Sequence, residues 1–135
     1  MEGQKEETME KTIIRAERAP RAVGPYSTAV RANGFLFLSG QIPLDPASGA
    51  SVEGSFGDQV RRVLDTIRNV LEDSGSGLGR VVKTTVFLRD MDRFAEFNGV
   101  YGEYFPEAPP ARSCVEVSRL PRDAPIEIEV IALAG

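Results

Sequence analysis

Apolar positions along this chain recur with two different periods, and the switches between them mark out its elements. Lys11 to Arg15 and Thr28 to Ala32 read as short strands. Between the second of these and the apolar run Phe35-Leu36-Phe37-Leu38, Asn33-Gly34 predicts a tight hairpin, since both residues tolerate the left-handed backbone such a turn needs. Pro43, Pro46, Gly49 and Gly54 then punctuate a loop, and Ser55 with Asp58 three residues on predicts a helix N-cap. Over Phe56 to Asp73, Val60, Val63, Leu64, Ile67, Val70 and Leu71 fall on the i, i+3, i+4, i+7 positions of one helical stripe, which Gly75 terminates. Val81 to Leu88, rich in valine and threonine, predicts a fourth strand. Phe94, Phe97, Tyr101 and Tyr104 recur at helical spacing until Pro106, predicting a shorter second helix. Ala111 to Val117 and Ile126 to Ala134 read as the last strands, joined by a loop containing Pro121 and Pro125.

The order is therefore βββαβαββ with no internal repeat, which predicts an α+β domain: a six-stranded, mostly antiparallel sheet with two helices on one face. Two helices can cover only one face of such a sheet, yet Phe35 to Leu38 is apolar on both sides. In the last strand Ile126, Ile128 and Val130 share one face, while Glu127, Glu129, Ile131 and Leu133 share the other. Carboxylates and large apolar groups on one surface point to a subunit interface carrying a polar pocket.

Composition narrows the chemistry. With 135 residues, 41% of them apolar, the chain supports one hydrophobic core, so a single domain over residues 11–135 is expected behind a disordered acidic tail at 1–10. The four glutamates and one lysine of that tail leave 16 acidic and 15 basic residues elsewhere, so the body lacks the positive field that drives sequence-independent nucleic-acid binding. No apolar run approaches the roughly 20 residues a membrane helix needs, and the polar N-terminus makes the cytoplasm the default location. The chain has no histidine, which excludes serine and cysteine triads, HExxH zinc sites and an imidazole base. Cys114 is the single cysteine, so an internal disulfide and a multi-thiolate metal site are excluded as well. Gly75, Gly77 and Gly79 leave a helix instead of opening one and lack a Gly-Lys-Ser/Thr ending, so they form a connector and no phosphate loop.

The segment Pro110-Ala111-Arg112-Ser113-Cys114-Val115-Glu116-Val117, followed by Arg119-Leu120-Pro121 and Ile126-Glu127-Ile128-Glu129, closely resembles the signature of the RidA (YjgF) family. Gly24-Pro25-Tyr26, Ser39-Gly40-Gln41-Ile42-Pro43, Lys83-Thr84-Thr85-Val86-Phe87 and Asn98 extend the resemblance over essentially all of residues 11–134. It implies a chorismate-mutase-like fold assembled as a homotrimer with clefts between subunits. It also implies a hydrolytic deaminase that converts reactive 2-imino acids, such as 2-iminobutanoate and 2-iminopropanoate, to 2-keto acids and ammonia without metal or cofactor. By the same resemblance Arg112 binds the substrate carboxylate, Glu127 positions water, and Tyr26, Ser39, Gly40 and Ile126 line the pocket, with Cys114 contributing its backbone amide and carbonyl.

The residue types are compatible with these roles. A guanidinium can hold a carboxylate through two parallel N–H···O bonds, each contributing about 1.5–3 kcal/mol. Spacing alone leaves open whether Arg112 does this or pairs with Glu127 or Glu129 across a subunit contact. It also leaves Glu127 and Glu129 equivalent, being two residues apart on one strand face. Cys114, with no histidine to generate its thiolate, reads as an inert buried thiol. Tyr26, in a loop, can close over a small ligand or simply pack. Phe94 and Asn98, four residues apart on the second helix, share a face and could border one cleft. Two other functions stay open: a single-strand-specific endoribonuclease or translation inhibitor, and a non-catalytic module that binds 2-keto acids or other small carboxylates.

Overall fold

At Asn33-Gly34 the chain turns with φ values of 50° and 83°, the paired left-handed conformations that match a hairpin connection to the twist of its strands. The turn folds β2 (Ala29–Ala32) onto β3 (Phe35–Gln41). The computed structural model describes residues 10–135, so the expected acidic tail lies, apart from Glu10, outside the described residues.

The remaining elements follow the expected order: β1 (Thr12–Ile14), α1 (Phe56–Asp73), β4 (Val81–Leu88), α2 (Phe94–Tyr104), β5 (Ala111–Glu116) and β6 (Ile126–Leu133). They form one six-stranded sheet in the order β1-β2-β3-β6-β4-β5. All neighbours run antiparallel except β4 and β5, which α2 joins as a parallel crossover. The fold class is thus as the hydrophobic pattern predicts. Most strands are a residue or so shorter than their apolar runs, whereas β3 reaches three residues past Leu38. It can do so because a bulge there keeps it paired to β6: Leu38 sits opposite Val130 and Gln41 opposite Ile128, three steps against two.

Ser55 caps α1 by accepting the backbone N–H of Asp58 at 3.1 Å. The stripe Val60, Val63, Leu64, Ile67, Val70 and Leu71 is fully buried against Leu36, Val86, Leu88, Ile126, Ile128 and Ala132. Each such side chain contributes roughly 1.5–3 kcal/mol by leaving water, so this layer dominates the stability of the fold. No helix among the described residues is long and apolar enough to cross a membrane.

Among the described residues no helix covers the other face of the sheet. Ile13, Val30, Phe37 and Ile131 are directly opposed across four strands, and Ile13 and Phe37 are 47% and 43% exposed. Leu133 extends this apolar row, while Glu127 and Glu129 continue the same face toward the start of β6.

Candidate functional site

Glu127 is placed by the start of β6 and by the bulge in β3. The extra residue in β3 puts Gly40 directly against the Glu127 side chain, where a Cβ would stand 2.7 Å from its Cδ and 2.9 Å from its Cγ. Gly40 is thus required for close approach. Ser39, the other bulge residue, donates its hydroxyl to the Ser27 carbonyl at 2.6 Å and its N–H to the Thr28 carbonyl at 3.0 Å, tying β3 to the loop that carries Tyr26. Tyr26 is half exposed and accepts the Val23 N–H on its hydroxyl at 3.3 Å. Together these residues line a cleft of about 820 Å³ whose other walls include Val23, Ile42, Leu44, Pro121 and Glu129.

Burial, and then repulsion from Glu129, raise the Glu127 carboxyl above the ordinary glutamate range. Among the described residues no cation pairs with either carboxylate. Glu127 therefore holds a proton closer to neutrality than a surface glutamate does, as a group that accepts and returns protons requires.

Arg112 lies elsewhere. In the parallel β4–β5 register it is level with Thr84, whose partner on β6 is Val130, so its side chain is on the helix-covered face. Glu127 is level with Phe87 on β4, three residues from Thr84 and hence on the opposite face. One chain cannot bring Arg112 and Glu127 into one pocket, nor pair Arg112 with Glu127 or Glu129. Instead Arg112 reaches under α2, where it donates to Asn98 Oδ1 at 2.8 Å. Its Cζ lies over the rings of Phe94, Phe97 and Tyr101 at 5.5, 5.5 and 4.8 Å. Among the described residues it makes no ion pair.

The expected site residues thus divide into two sets. Tyr26, Ser39, Gly40 and Glu127 share the cleft, while Arg112, Phe94, Asn98 and Cys114 gather beside the edge strand β5. Cys114 is half-buried, and burial pushes its thiol up against the opposing pull of Arg112, keeping it protonated. The Ile126 side chain is fully buried in the core, so only its backbone could face a ligand. Residues absent from the expectation are Phe97 and Tyr101 around Arg112. Their signal was present in the 3.6-residue period with Phe94, but such a stripe is ordinarily read as core packing. Among the described residues no group of three or more metal-ligating side chains could hold a metal ion.

A family model described as Endoribonuclease L-PSP matches residues 16–134. A RutC family protein of Pyrococcus horikoshii is 54% identical over 122 residues, spanning 90% of this chain and 97% of that one. Two solved structures extend the comparison. RidA from an Antarctic Psychrobacter superposes with a TM-score of 0.86 at 38% identity, covering 90% of this chain and 98% of that one. TdcF of Escherichia coli, solved with bound serine, has a TM-score of 0.86 at 39% identity, with 92% and 99% coverage.

Proposed function

This chain belongs to the RidA/L-PSP family, and from that premise we propose that it hydrolyses short 2-imino acids, such as 2-iminopropanoate and 2-iminobutanoate, to 2-keto acids and ammonia. The observation that carries the reading is Arg112: a half-buried guanidinium with one hydrogen bond, to Asn98, and no carboxylate of the described residues beside it. A charge in that position calls for an anionic partner, and a substrate carboxylate satisfies it bidentately. The serine bound by TdcF is a carboxylate of comparable size.

The chemistry needs no metal or cofactor. Glu127 takes a proton from water as the oxygen adds to the C=N carbon and passes it to the imine nitrogen, giving a neutral tetrahedral carbinolamine. Glu127 then takes the proton of the carbinolamine hydroxyl and delivers it to the nitrogen as the C–N bond breaks and the C=O bond forms, releasing ammonia and leaving the 2-keto acid. Its raised pKa suits both halves of that exchange.

Because Arg112 and Glu127 occupy opposite faces of one sheet, a working cleft takes them from two copies of the chain. In this reading the protein is a homotrimer with clefts between subunits, and the exposed apolar row through Ile13 and Phe37 is where copies meet. Its place of action is the cytoplasm, beside the dehydratases that release enamines and imines. The family description names an endoribonuclease, which favours a second reading in which the same cleft cuts single-stranded RNA. The net charge of −4 opposes a phosphate backbone, and in the cleft Arg21 and Arg122 only offset Glu127 and Glu129. A third reading, a module that binds 2-keto acids without turnover, uses the same Arg112.

The test couples a serine or threonine dehydratase to the purified protein and follows imine decay by semicarbazone capture, with wild type and Arg112→Ala in parallel. Accelerated decay that disappears in Arg112→Ala is the expected result. A wild-type protein that leaves the decay unchanged while still binding 2-oxobutanoate refutes the deaminase and leaves the binding module.

A further inference from the structure

Arg112 poses a problem that the carboxylate-anchor role alone does not solve. A guanidinium on a flexible stem has many orientations, and its five N–H donors must face the ligand if they are to grip it. A protein carboxylate could hold it, but would occupy the donors that the substrate needs. The structure holds it differently: among the described residues only Asn98 takes one of its hydrogen bonds, and three aromatic rings crowd its Cζ. Rings attract the cation through their quadrupole and take no strong N–H hydrogen bond.

Of the three rings, Tyr101 is the nearest, at 4.8 Å, and it is buried. Its hydroxyl is hydrogen-bonded at 2.8 Å to Thr84, a fully buried side chain on β4 level with Arg112 itself. Phe97 and Phe105 flank the Tyr101 ring with centroids at 5.3 and 4.7 Å. The ring is therefore fixed at both ends, by the sheet through its hydroxyl and by helix neighbours along its sides. Phe94, Phe97 and Tyr101 fall at i, i+3 and i+7 of α2, with Asn98 at i+4, so one helix face supplies the whole enclosure.

We infer that Tyr101, anchored by Thr84, is a positioning residue: with Phe94 and Phe97 it holds the Arg112 guanidinium by its charge and leaves most of its donors directed to a ligand carboxylate. The inference rests on the carboxylate-anchor reading above and adds what makes that anchor rigid. Losing the Tyr101 ring weakens recognition of the carboxylate specifically. It does not weaken binding of every ligand in the cleft.

Binding of 2-oxobutanoate and of its neutral isostere 2-oxobutanamide to the assembled full-length protein separates these cases. Wild type is expected to prefer the acid by about tenfold or more. Tyr101→Leu is expected to lose that preference by weakening the acid alone, and Tyr101→Phe, which keeps the ring, to retain most of it. In the imine assay Tyr101→Leu raises KM about tenfold with kcat within about threefold, the signature of lost binding common to ground and transition states. Phe94→Leu, at the exposed end of the enclosure, is expected to cut the preference about threefold, and it decides the matter if Tyr101→Leu does not fold. Wild-type preference retained in both leucine variants overturns the positioning role while leaving Arg112 as the anchor. A wild type that binds acid and amide equally overturns the anchor and the positioning role together.

Discussion

Gly40→Ala asks whether the acid in the cleft is placed or merely present. Gly40 has no positive φ to forbid alanine, so the perturbation is purely steric. The new Cβ would lie 2.7 Å from Glu127 Cδ and 2.9 Å from Cγ, whereas carbons in contact keep about 3.5–4.0 Å. Something must therefore give by about 1 Å. The yielding group is the end of a flexible side chain, so the fold loses only about 1 kcal/mol, a fall in melting temperature of about 3 °C. The reaction is less tolerant, because a reacting group displaced by about 1 Å costs about a hundredfold in rate, or about 2.7 kcal/mol of barrier. Dehydratase-coupled imine decay and a thermal melt measure the two effects separately. Wild-type turnover by a folded Gly40→Ala would refute Glu127 as the reacting carboxylate.

Three other perturbations probe stability and assembly. Glu127 has its folded pKa raised by burial and then by Glu129, so the stability linked to it is fully present below its unfolded pKa and lost as pH rises through the folded one. Glu127→Gln should accordingly melt higher than wild type at pH 7, by no more than about 1 kcal/mol for a half-exposed group, and the gap should close in acid; a gap that widens in acid contradicts the assigned cause. Ser55→Ala removes the acceptor of the Asp58 N–H and should cost about 1 kcal/mol, read as a lower midpoint in denaturant with an unchanged slope. Phe37→Asp puts a charge in the middle of the exposed apolar row and should reduce the sedimenting mass from three copies to one; a wild type already sedimenting as one copy defeats the assembly.

Much of this architecture is legible in local pattern, because each signal has a local cause. The Asn33-Gly34 turn, the Ser55 cap and the α1 stripe are decided by residues within one hairpin or one helix, and the α+β order follows from them. Less legible is what depends on register between distant strands. The extension of β3 to Gln41 comes from its bulge against β6, and no period in the sequence marks it. The same bulge brings Gly40 against Glu127, a contact across 87 positions that the resemblance anticipates by naming both residues and that spacing alone does not. Phe97 and Tyr101 carried a correct helical signal with an incomplete meaning. Their apolar stripe does pack, and it also encloses Arg112, which arrives from β5. Whether a buried aromatic face meets an aliphatic neighbour or a cation is fixed only when strand and helix are docked.

Opposite placement of Arg112 and Glu127 has a quantitative consequence for mixed assemblies. If each cleft takes Arg112 from one chain and Glu127 from another, Arg112→Ala and Glu127→Gln damage different chains of the same cleft. Each variant alone is inactive, since every cleft lacks one of the two groups. When equal amounts are unfolded together and reassembled at random, a cleft is intact if its arginine comes from a Glu127→Gln chain and its glutamate from an Arg112→Ala chain. That occurs in about a quarter of clefts, in a trimer or a dimer alike, so the mixture should regain about a quarter of wild-type imine hydrolysis. Inability to regain activity, with the mixed assembly confirmed by mass, would mean that the two groups never serve one cleft. The side-by-side placement of carboxylate anchor and proton carrier would then have to be abandoned, because the sheet keeps them apart within any single chain.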